Sequence, residues 1–194
     1  PEAWDTLIHH PAIKTFHFSG HPFESRFFKK ESLPFFRKKI KIHLGGTNPV
    51  IWTYDAPDEW IAPLLHLSLD TTSLSEHRFH RWFVQEKNYP DFLKKVETIL
   101  SHLPAPTYFS DLYKEQWEEQ KKKMQNEKNW SNKFSFLFNP DFSNCSPWHQ
   151  QEGLAPLLTL TRFKNTNEAI KFANTTSYAS ASAVFSGTQE KSMQ

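Results

Sequence analysis

A chain of 194 residues that is 38% hydrophobic and 15% aromatic, with 18 Phe and 7 Trp, can fill a core and is far too aromatic for a disordered polypeptide. Its 23 basic and 21 acidic residues leave a formal net charge of +2, which excludes the global positive field of a dedicated nucleic-acid binder. No apolar stretch approaches the roughly 20 residues of a membrane helix, residues 1–20 lack a cleavable-signal pattern, and the single Cys145 cannot form an intramolecular disulfide. The expectation is a cytoplasmic protein with no membrane partner.

Short runs rich in β-branched and aromatic residues predict strands at Ile13–Phe18, Ile40–Leu44, Pro49–Tyr54 and Arg81–Gln85. Pro90 and Asp91 suit the first turn of a helix whose Phe92, Val96, Ile99 and Leu103 make one apolar face. Ser110 can cap a second, more charged helix through Lys128, with a thinner stripe of Leu112, Tyr113, Trp117 and Met124. Strands are then predicted at Phe134–Phe138, Leu157–Thr161 and Ala181–Phe185, and a third helix over Asn167–Asn174 with Thr166 as its cap. Thirteen scattered prolines and no Gly/Ser-rich linker make one continuous domain the simplest reading of the punctuation. Strands alternating with helices predict an α/β fold with parallel strands joined by crossovers.

The stretch "IKIHLGGTNPVIWTYDAPDEW", residues 40–60, carries the most specific motif. Gly45 and Gly46 permit backbone angles and close approaches that side chains forbid, and Pro49 opens the next strand. This stretch resembles the aldehyde dehydrogenase superfamily, whose signature is a strand, Glu-Leu-Gly-Gly, then Lys-Asn-Pro and a second strand. Upstream, "HPAIKTFHFSGHPFES" (10–25) is similar to the family's cofactor segment. Downstream, "DAPDEW" is similar to its acidic turn before a helix, and "RWFVQEKNYPDFL" to the strand and helix after its catalytic loop. "EGLAPLLTLTRFKNTNEAIKFANTTSYASASAVFS" (152–186) is similar to the segment that follows, while the match is weak over about 104–150.

The resemblance implies an aldehyde-dehydrogenase-like catalytic domain with a mostly parallel sheet flanked by helices, plus a remnant of a Rossmann-type cofactor domain. Residues 1–44 would be the end of the cofactor-binding portion and 45–194 the catalytic domain, truncated at its C-terminus. Family members are longer. Their first Rossmann units, the loop with the oxyanion-hole asparagine and the last strands have no counterpart here, so this is either part of a longer polypeptide or a stand-alone remnant.

The family's chemistry uses a cysteine thiolate, because it attacks near neutral pH and later leaves. Aligning on Arg81 puts the nucleophile position at Glu76, and aligning on Gly45 puts it at His77; no cysteine occurs from Ile61 to Leu103. His43 stands where the family places its general-base glutamate, and imidazole can serve as a base at neutral pH. The cofactor segment keeps Gly20 but has His21, Pro22 and Ser25 in place of the Gly-Ser and later Gly, and Glu152 matches the glutamate that contacts the nicotinamide ribose. NAD or NADP is therefore the cofactor by resemblance, with its loss as the alternative.

"SEHRFHR" would set His77 and His80 on one helical face beside Glu76, yet no third ligand is identifiable and no metal is expected. The basic runs at 27–41 and 118–130 read as solvated, self-paired faces, so no nucleic-acid partner is expected. The leading expectation is a degenerate family member acting as a scaffold or as a partner in a homo- or hetero-oligomer. Its alternatives are an NAD(P)-dependent oxidoreductase with altered active-site residues, and a binding module for a small aldehyde, acyl group or CoA ester, lined by aromatics such as Phe79 and Trp148.

Overall fold

The computed structural model describes residues 6–7, 9–19, 38–43, 46–70, 78–104, 107–108, 111–124, 130–131, 135–138, 156–176 and 180–188. The chain divides into two compact units, Pro1–Gly45 and Gly46–Gln194, rather than the single continuous domain read from its punctuation.

In the first unit, β1 (Thr15–Ser19) pairs in parallel with β2 (Lys39–His43), with Thr15 opposite Lys39, His17 opposite Lys41 and Ser19 opposite His43. Phe18 is buried and Phe16 half-buried, whereas Thr15, His17 and Ser19 between them are exposed. β1 begins two residues later than its pattern predicts.

The second unit is built on one sheet in the order β5-β6-β7-β4-β3-β8, from β3 (Pro49–Trp52), β4 (Arg81–Gln85), β5 (Trp130–Ser131), β6 (Ser135–Phe138), β7 (Leu157–Phe163) and β8 (Ala183–Phe185). All neighbours are parallel except the β5–β6 pair. Helix α1 (Ile61–Leu69) carries the chain from β3 to β4, and α2 (Tyr89–His102) and α3 (Asp111–Met124) follow β4. Helix α4 (Thr166–Ala173) then leads from β7 back past β4 and β3 to β8.

The two directions of travel put helices on opposite faces, as right-handed crossovers require. On one face Ile61, Leu64, Leu65 and Leu69 of α1 and Phe92, Val96 and Leu100 of α2 pack on Val50, Trp52, Trp82, Val84, Leu158 and Leu160. Trp52 lies at the centre, stacked on Trp82 at 6.3 Å and on Phe185 at 4.7 Å, with Phe92 tilted against it at 5.2 Å. On the other face Ala169 of α4 packs with Phe83 and Phe163, flanked by Ile51 and Phe172. Strands covered on both sides become continuous apolar runs, which is why "RWFVQ" and "LLTLTRF" carry so little alternation.

Local chemistry sets the helix ends. α2 starts with Pro90 in its first turn, where a missing N–H costs nothing. The N-cap of α4 is Asn165, not Thr166: Asn165 Oδ1 accepts from the Glu168 N–H at 3.0 Å, and the Glu168 carboxylate reaches back to the Lys164 N–H at 2.6 Å. Residues 78–80 are not helical, so the spacing that would put His77 and His80 on one face is not formed at His80.

Candidate functional site

Open α/β sheets bind ligands beyond the carboxyl ends of their strands, where the strand order reverses. In the second unit that crevice lies between β3 and β8, and it is filled. Thr53 Oγ1 lies 2.6 Å from Asp55 Oδ1 and 3.1 Å from the Phe185 carbonyl, and a Cβ on Gly187 would stand 2.8 Å from the Asp55 carbonyl oxygen.

The opposite, amino-terminal rim carries the polar cluster. Asn48, fully buried, joins three segments: its Nδ2 donates to the Arg78 carbonyl at 3.1 Å, and its Oδ1 accepts from the N–H groups of Ser180 and Ala181, both at 3.0 Å. These segments lead into β3, β4 and β8, so one side chain ties three strand entries together. The Asn-Pro pair of the motif thus has a structural duty: Pro49 starts the strand and Asn48 anchors it.

Arg81 is 1% exposed, and a buried guanidinium needs acceptors. Its Nε donates to the Thr47 carbonyl at 2.7 Å, and its two terminal nitrogens donate to the carbonyls of Phe172 at 3.3 Å and Ala173 at 2.9 Å. The last two carbonyls close α4, so the negative end of that helix compensates the cation. Arg78 does the same for α1, donating from Nη1 to the carbonyl of Asp70, the C-cap of that helix, at 3.2 Å. Thr47 Oγ1 meets Thr176 Oγ1 at 2.7 Å, and the His80 carbonyl accepts from the Thr159 N–H at 2.8 Å and from its hydroxyl at 3.2 Å. This rim holds three strand entries and two helix ends in place.

The nucleophile positions Glu76 and His77 lie just before Arg78, outside the described residues, as do Gly20, His21, Ser25, Glu152, Cys145 and Trp148. His43 is described: it is exposed at the carboxyl end of β2, in register with Ser19, which Gly20 follows directly. The described part of that edge offers one hydroxyl and one imidazole. No group of three or more His, Cys, Asp or Glu side chains fit to hold a metal ion occurs among the described residues. No described helix is long and apolar enough to cross a membrane. Sequence reasoning missed Asn48 as a hub and Arg81 as a helix cap; the only signal was a polar residue just before one apolar strand and at the start of another.

The architecture is that of an α/β domain with a mostly parallel sheet wound in both directions. It is shared with solved aldehyde dehydrogenases. A betaine aldehyde dehydrogenase from Staphylococcus aureus, solved in complex with NAD+, superposes with a TM-score of 0.84 at 20% identity over 98% of this chain and 43% of that one. An aldehyde dehydrogenase from Mycobacterium tuberculosis complexed with NAD+ gives 0.84 at 17% identity over 100% of this chain and 45% of that one. The aldehyde dehydrogenase family model matches residues 125–194, beginning inside the segment where the quoted motifs are weakest. Chicken (Gallus gallus) aldehyde dehydrogenase 1A1 is 25% identical over 100% of this chain and 42% of its own length. Zebrafish (Danio rerio) 2-aminomuconic semialdehyde dehydrogenase is 31% identical over 49% of this chain and 20% of its own length. The chain is similar to aldehyde dehydrogenases in fold and in part of its sequence, and it spans less than half the length of these relatives.

Proposed function

We propose that this chain is an aldehyde-dehydrogenase-like subunit that performs no thiolate-based aldehyde oxidation and acts as a scaffold or oligomer partner in the cytoplasm. The observation that carries the reading is the absence of cysteine from Ile61 to Leu103, with Glu76 or His77 at the position the resemblance gives to the nucleophile. Neither a carboxylate nor an imidazole makes the thioester from which a base at His43 would release an acid. The rim around Arg78, where the described chain resumes after that segment, supports the same reading, because its described polar groups are engaged in holding strand entries and helix ends.

Residues 1–44 are, in this reading, the end of a cofactor portion, and 45–194 the catalytic-type domain. NAD+ accompanies the two solved relatives. With His21 and Pro22 in place of open backbone donors and Ser25 where a small residue would permit close approach, the chain has lost affinity for NAD and NADP.

Two measurements test this. Calorimetric titration of the purified chain with NAD, NADP and coenzyme A is expected to give no saturable heat, and aldehydes with either nucleotide are expected to give no NAD(P)H. Aldehyde-dependent NAD(P)H formation that disappears in Glu76→Ala, His77→Ala or His43→Ala would overturn the reading in favour of an oxidoreductase with altered residues. Saturable coenzyme A binding without turnover would replace the scaffold by a ligand-binding module.

A further inference from the structure

We draw no further inference here: the strongest candidate, the exposed apolar surface patch formed by Trp60 at the N-cap of α1 with Pro63 and Leu67 along that helix, carries nothing because nothing in the structure shows what covers it.

Discussion

β1 and β4 are both five-residue parallel strands, and they share almost nothing in burial. β4 has four of its five residues buried, whereas β1 exposes every second residue. β4 lies between β3 and β7, with α1 and α2 on one face and α4 on the other. Among the described residues β1 has a single neighbour, parallel to it, and one apolar face. Parallel strands ordinarily read as continuous apolar runs because crossover helices cover both their faces. The alternation in "TFHFS" and "KIKIH" therefore goes with a sheet that exposes the face carrying Thr15, His17, Ser19, Lys39, Lys41 and His43.

The difference can be broken most sharply in the second unit. Trp52→Ala removes the centre of the Trp82, Phe92 and Phe185 stack and is expected to lower stability by about 3–5 kcal/mol, read from urea or thermal unfolding. A loss near zero would mean that the core does not depend on this stack. Arg81→Ala strips one donor each from the carbonyls of Thr47, Phe172 and Ala173 and should cost about 2–3 kcal/mol. Arg81→Lys should recover only part of that, because an ammonium cannot reproduce the planar fork.

Smaller effects sharpen the comparison. Asn165→Ala removes the cap of α4 and is expected to cost about 1 kcal/mol. Tyr89 donates to the Leu160 carbonyl at 3.2 Å, and burial raises its phenol well above the usual range despite the opposing charge of Arg162. A raised phenol favours the protonated form in the folded state, so its contribution is complete below about pH 10 and fades as pH rises beyond that. Tyr89→Phe should cost about 1 kcal/mol near neutrality and flatten the alkaline decline in stability. An unchanged alkaline slope would show that Tyr89 is not its source. Lys41→Ala in the exposed row should shift stability by less than about 0.5 kcal/mol, which would confirm that this row adds little to the fold.

Much of the architecture was legible because the relevant signals are local. The strands at 49, 81, 135, 157 and 183 and the helix after Pro90 begin within a few residues of where alternation, apolar runs and turn residues place them. α1 was accessible only through the family resemblance, since "IAPLLHLSL" is apolar on nearly every side and has no polar stripe to phase it. The charged helix is described over Asp111–Met124, and the rest of its expected span to Lys128 lies outside the described residues. Thr166 and Asn165 are both good caps, and only the bond to the Glu168 N–H distinguishes them. Of the residues that the resemblance assigns to catalysis or cofactor binding, His43 alone lies among the described ones, opposite Ser19.

By itself the sequence determined the α/β class, the resemblance to aldehyde dehydrogenases and the absence of cysteine from Ile61 to Leu103, because each is written in residue identity and short-range period. Tertiary structure decided the role of the polar residues ahead of the strands. Asn48 reaches partners 30 and 132 residues away, and Arg81 reaches the end of a helix 91 residues on. No local pattern encodes such bonds, because they exist only after the sheet has brought β3, β4 and β8 side by side.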